Sequence, residues 1–191
     1  MKKMLSVLLA IMMIATLALT GCGQNNDPTP DPAPATRTFT DSLGREVTLP
    51  ANLSKIAISG PLAQIVVFAI APEMMVGIAN GWADEAKGLI PDEYYNLPLL
   101  GQLYGGKGEL NLETLLQSGA EVVIDVGEQK DGMADDLNAL QEQTGIPFVH
   151  IDCYTDSMGD TYRTLGTLLG KETEGNTLGE YCDKIYNRTN E

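Results

Sequence analysis

Apolar positions fall into short runs of period two and longer runs of period three to four, and the two kinds alternate along the chain. Residues 37–39 and 46–49 flank Asp41-Ser42-Leu43-Gly44, which predicts a small hairpin. Residues 55–59 (KIAIS) form a short β-branched run ended by Gly60-Pro61. Residues 62–71 are apolar almost all round and predict a buried helix, and residues 74–79 (MMVGIA) are strand-like. A long connection, 80–109, follows. Residues 111–118 predict a helix with Leu112, Leu115 and Leu116 on one face. Residues 121–126 (EVVIDV) predict a strand, 133–144 a helix closed by Gly145, and 147–151 the next strand. Residues 157–170 predict a helix with Tyr162, Leu165, Leu168 and Leu169 facing inward. A last helix is expected from Thr177, where Leu178, Tyr181, Cys182, Ile185 and Tyr186 share helical spacing. It runs into Glu191 without a cap, as a chain cut partway along a helix would. Strands alternating with helices imply βαβ units and a mostly parallel sheet, so the fold class is α/β.

Composition narrows the chemistry. The 191 residues are 43% hydrophobic, enough for one ordinary core. With 12 Lys+Arg against 26 Asp+Glu and a formal charge of −14, the chain lacks the basic clusters that nucleic acid requires. One histidine, His150, and three scattered cysteines exclude multi-His metal sites and Cys-rich zinc modules. No metal site and no cofactor is implied.

The first 21 residues read as a targeting segment, with Lys2 and Lys3 ahead of a 4–19 apolar run that is short for a membrane span. It ends in Leu19-Thr20-Gly21-Cys22, which resembles the lipobox of bacterial lipoproteins. That resemblance implies lipidation at Cys22 and an anchor on the extracytoplasmic face of the cell membrane. Loss of residues 1–21 removes two lysines and no acid, taking the charge from −14 to −16. Acyl chains, not charge, would then hold so acidic a protein to anionic lipid. Residues 22–36 are polar and Pro-rich and read as a tether.

Several motifs carry less than their appearance. Gly101-Gln102-Leu103-Tyr104-Gly105-Gly106-Lys107-Gly108 has the spacing of a phosphate loop, but Gly108 replaces the Ser/Thr that would hold Mg²⁺. A serine hydrolase would need His150 as base, and no Gly-x-Ser-x-Gly elbow occurs. Within its strand, His150 reads as a structural residue. Cys153 and Cys182 read as two buried thiols, with a disulfide left open. Asp135 and Asp136 read as a solvated helix face.

Three stretches together resemble the solute-binding lipoproteins of ABC importers for ferric siderophores, haem and cobalamin. They are Phe39-Thr40-Asp41-Ser42-Leu43-Gly44-Arg45-Glu46-Val47-Thr48-Leu49-Pro50, Leu97-Pro98-Leu99-Leu100-Gly101 with Asn111-Leu112-Glu113, and Gly119-Ala120-Glu121-Val122-Val123-Ile124 with Gly145-Ile146-Pro147-Phe148-Val149. The resemblance implies the class III periplasmic-binding-protein fold, in which two Rossmann-like α/β lobes are joined by a long helix with the ligand between them. On that basis 37–176 is the N-terminal ligand-binding lobe and 177–191 the start of the interlobe helix. The expected function is non-enzymatic capture of a metal chelate and its delivery to an ABC permease.

Open α/β sheets bind ligands outside the C-terminal ends of their strands. The expected site is therefore Ser59, Gly60 and Pro61, then Asn80, Gly81 and Trp82, then Gln102 and Tyr104 from the long connection. After the later strands come Glu128, Gln129 and Lys130, and then Tyr154. Trp82 and Tyr104 stand about where the family sets aromatic rings against its ligands, although Trp82 also suits a cover over the lobe's own core. Glu113 matches the acid with which the family pairs permease arginines, and also sits where an acid favours a helix dipole. Two other readings stay open: an α/β enzyme or nucleotide-binding domain using the 101–108 loop, and a truncated lobe without a transport role.

Overall fold

A hairpin opens the fold in the computed structural model, which describes residues 35–104 and 109–189. Strands β1 (Thr36–Thr40) and β2 (Glu46–Pro50) pair antiparallel with Thr40 opposite Glu46. Asp41 builds the turn: its Oδ1 accepts the N–H groups of Leu43 (3.1 Å) and Arg45 (2.9 Å), and its Oδ2 meets the Arg45 guanidinium at 2.6 Å. This turn chemistry is what an Asx residue offers.

The central sheet is parallel, in the order β3 (Ile56–Ile58), β4 (Val122–Gly127), β5 (Phe148–Asp152). Side chains alternate between its faces. Ile56, Ile58, Ile124, Val126, Val149 and Ile151 pack with helix α1 (Pro61–Ile70), while Ala57, Val123 and Phe148 lie on the other side. The one-turn α2 (Asp92–Tyr95) lies in the long connection, and α3 (Leu112–Gln117) leads into β4. Helix α4 (Met133–Thr144) supplies Met133 and Leu137 to the Phe148 side, and α5 (Met158–Leu169) supplies Tyr162, Leu165 and Leu168 to the α1 side. A fully buried Leu, Ile or Phe contributes about 1.5–3 kcal/mol relative to exposure, so this two-sided burial fixes the sheet. The hairpin turn is bonded to β5, with Ser42 N–H donating to the His150 carbonyl (3.0 Å) and Asp152 N–H to Ser42 Oγ (2.9 Å).

Three elements differ from the sequence pattern. Residues 74–79 form no strand ladder. They divide their backbone bonds between two neighbours, Val76 N–H donating to Ile56 and Ile78 N–H to Pro98, with single bridges at Met75 and Ile78. Leu116 is exposed, because the short α3 buries only Leu115. The last helix, α6 (Glu172–Thr189), starts five residues before Thr177. Its inward side is Gly175, Leu178, Gly179 and Cys182, whereas Tyr181, Ile185 and Tyr186 face outward. Gly175 and Gly179 carry no β-carbon, which lets α6 approach α5 closely.

Candidate ligand-binding site

Each parallel strand delivers its following residues to one edge of the sheet, and a cavity of about 520 Å³ opens there. Of the expected residues, Ser59, Gly60, Pro61, Tyr104, Glu128, Lys130 and Tyr154 line it together. Asp125, Met133 and Met158 line it as well, outside the strand-end expectation, and Cys153, which follows β5, joins them. Asp125 had one signal, a lone acid within an otherwise apolar strand.

A polar row crosses the sheet at this edge. The registers that set Ile58 beside Ile124 and Asp125 beside His150 bring Ser59, Asp125 and His150 into line. The Ser59 hydroxyl donates to Asp125 Oδ1. His150, fully buried, places Nδ1 2.6 Å from Asp125 Oδ2 and Nε2 3.1 Å from Asp152 Oδ1. Its backbone N–H donates to Asp41 Oδ2 at 3.2 Å. Buried polar groups tolerate desolvation when bonded in this way. The arrangement also separates Ser59 from the imidazole by a carboxylate, so Ser59 and His150 do not form a nucleophile–base pair.

Tyr104 forms one wall. Lys130 Nζ lies 4.5 Å from its ring centroid and its hydroxyl donates to Asp136 Oδ2 at 3.4 Å. Burial, with help from Asp136, pushes its phenol up to about 12, so the hydroxyl stays protonated at neutral pH. Asp136 is thus engaged at the wall as well as lying in the first turn of α4. Cys153 is buried against Met158, 3.5 Å between sulfurs, and burial pushes its thiol upward, away from nucleophilic thiolate. Cys153 and Cys182 are both free thiols.

Other expected residues stand outside the cavity lining. The Trp82 ring packs on Phe68 with centroids 5.0 Å apart, and its Nε1–H donates to the Tyr94 carbonyl at 3.1 Å. Asn80 is held through its backbone by the buried Gln64 side chain, and Gly81 is exposed beside it. Gln102 is buried against Gly60. Gln129 turns toward the hairpin, its Nε2 donating to the Ser42 carbonyl and Asp152 Oδ2, each at 3.0 Å. Glu113 is exposed in the first turn of α3, accepting from Gln117 Nε2 at 3.3 Å. Cys22 with the signal segment, most of the tether, and Gly105 to Gly108 of the glycine loop lie outside the described residues. Among the described residues no group of three or more His, Cys, Asp or Glu is disposed to hold a metal ion, and no helix is long and apolar enough to cross a membrane.

No family model and no curated protein matches the chain. Solved structures do. An ABC transporter solute binding protein from Sulfurospirillum deleyianum superposes with TM-score 0.68 at 21% identity, over 80% of this chain and 48% of its own. The molybdate periplasmic binding protein MolA of Haemophilus influenzae gives 0.58 at 19% identity, over 75% and 49%. The heme binding protein HmuT gives 0.52–0.53 across wild-type and mutant forms; the wild type is 20% identical over 80% and 47%. The chain therefore spans about half the length of these proteins, and over that span it has the fold of ABC-transporter solute-binding proteins.

Proposed function

We propose that the chain is a lipid-anchored substrate-binding protein of an ABC importer, or the N-terminal lobe of one. It captures an iron-siderophore, haem or corrinoid chelate outside the cytoplasm and presents it to the permease without chemical change. The observation that carries this reading is the cavity at the C-terminal edge of the parallel sheet, in a fold shared with solute-binding proteins. The names of two of those proteins, molybdate-binding MolA and a heme binding protein, support a metal-containing ligand. The lining suits one with an organic shell: Tyr104, Tyr154, Leu62, Met133 and Met158 offer rings and apolar surface beside the polar groups of Ser59, Asp125, Glu128 and Lys130.

In this reading Ser59, Gly60, Pro61, Tyr104, Glu128, Lys130 and Tyr154 contact the chelate. Asn80, Gly81, Trp82, Gln102 and Gln129 belong to the loops that frame it. Glu113, exposed on α3, meets a permease arginine, and Cys22 carries the lipid. Residues 1–21 are the signal peptide, 22–36 the tether, 37–176 the lobe and 177–191 part of an interlobe helix, α6, whose first turn begins at Glu172. The test is a titration of the purified protein with a ferric siderophore, haemin and cobalamin. A saturable rise in melting temperature with one of them is expected. Specific ATP binding or turnover, with no response to any chelate, would overturn the reading.

A further inference from the structure

Ser59 has used every proton it owns inside the protein. Its N–H donates to the Ile124 carbonyl at 3.1 Å, its carbonyl accepts from Leu103 N–H at 2.7 Å, and its hydroxyl donates to Asp125 Oδ1. A hydroxyl has one proton and two lone pairs, so the Oγ facing the cavity can only accept. Asp125 is in the same position. Its Oδ1 receives Ser59 and its Oδ2 faces His150 Nδ1 at 2.6 Å, which leaves only lone pairs toward the cavity. The imidazole is pinned from behind by Asp152 Oδ1 and cannot swing a nitrogen into the cavity. The donors stand elsewhere, at the wall: Lys130 over the Tyr104 ring, and the first turn of α1, whose Gly60-Pro61 start has no side-chain cap.

We propose that Ser59 and Asp125 are the specificity-determining floor of the site, accepting a positively charged hydrogen-bond donor carried by the ligand, such as an ammonium group on the shell of a chelate. The inference rests on the reading of the cavity as a chelate site. A donor placed there meets two prearranged acceptors that cost no reorganisation. An oxyanion at this floor meets the same acceptors with no proton between, and there gives up its hydration without compensation. The formal charge of −14 adds a field of the same sense.

Isothermal titration of the protein as the cell makes it, with three probes, tests this. The probes are ferrioxamine B, a trihydroxamate ferric chelate ending in an ammonium; its N-acetylated form, which lacks that charge; and molybdate. The wild type should prefer ferrioxamine B to the acetylated form and leave molybdate unbound. Asp125→Asn and Ser59→Ala should each weaken ferrioxamine B about tenfold while changing the acetylated form less than about twofold. Ser59→Ala leaves the Asp125–His150 contact in place, so it reports even if Asp125→Asn does not fold. Equal wild-type affinity for the two chelates, or parallel losses in the variants, overturns the floor assignment while chelate binding stands. Molybdate binding with no chelate binding overturns both.

Discussion

Gly166 on α5 and Gly175 on α6 meet backbone to backbone: a β-carbon built on Gly175 would lie 2.9 Å from the Gly166 α-carbon and 2.6 Å from the Tyr162 carbonyl. Gly179 faces the Gly159 carbonyl one turn on, at 2.9 Å from its own would-be β-carbon. The crossing is clamped at its side by Arg163, 3.0 Å from Asp160 and 2.5 Å from Asp183. Gly175→Ala gains helix propensity of about 1 kcal/mol but drives a methyl into backbone that cannot yield. The expected net loss is about 2 kcal/mol by urea denaturation. Gly127→Ala, with nothing within 4 Å of the added carbon, should stay within about 0.5 kcal/mol.

Trp82 gives the second prediction. Its ring rests on Phe68, and Phe68 in turn meets Tyr94 edge-on at 5.9 Å, so the aromatic trio ties the long connection to α1. Trp82→Ala should lower stability by about 2 kcal/mol, less than a fully buried Trp would cost, and leave chelate affinity within about twofold. Unchanged stability with weakened chelate binding would instead put the ring in the site.

Regular elements were legible where local pattern and packing agree. The hairpin, β3, β4, β5, α1, α4 and α5 follow their apolar periods, and Gly145 and Gly170 stop α4 and α5 in the left-handed conformation that glycine favours. The early start of α6 is not legible because residues 172–176 (ETEGN) offer no large apolar position, and the value of Gly175 is tertiary: no single-helix pattern reveals that its missing side chain makes room for a neighbour. The miss at residues 74–79 is of the same kind, since the run has strand composition but its partners change midway. For the site, strand ends were readable because topology places them. Asp125 lies one step inside a strand, and its role depends on a register with Ser59 and His150 that the sequence does not display.

Glu121 sets a pH dependence. Burial raises its pKa, but the N–H groups of Ser54 (2.6 Å) and Lys55 (3.0 Å) and the Ser54 hydroxyl outweigh it, so the carboxyl is held below its usual range. An unfolded glutamate titrates near ~4.3. The folded value is lower, so this stabilisation is fully present above that pH and is lost as pH falls through the folded value. The stability difference between wild type and Glu121→Gln should be flat at neutral pH, about 1 kcal/mol or less for so solvated a group, and shrink below about pH 4. A difference that grows on acidification would contradict the assignment.

Cys22 tests the anchor. Cys22→Ser removes the only thiol in the proposed lipidation motif and should move the protein from the membrane fraction to the soluble extracytoplasmic fraction. Fractionation unchanged from wild type would remove the lipoprotein from the proposal while leaving the binding lobe intact.

His150 gives the last prediction, through its coupling to Asp125. His150→Leu fills a similar volume but leaves a buried carboxylate without its strongest partner, and Ser59 alone cannot replace it. Breaking a buried pair from one side costs about 3–5 kcal/mol, because the remaining charge stays desolvated. Asp125→Leu strands the imidazole with Asp152 alone and should cost a comparable amount. The double variant replaces both members by apolar groups, so its loss should fall short of the sum of the single losses by at least about 1 kcal/mol. Additive losses would mean that the 2.6 Å contact carries no interaction energy. The same double variant should also lose the preference for a charged chelate, whereas His150→Leu, which keeps the carboxylate, should retain it, and this separates what the pair does for stability from what Asp125 offers the ligand.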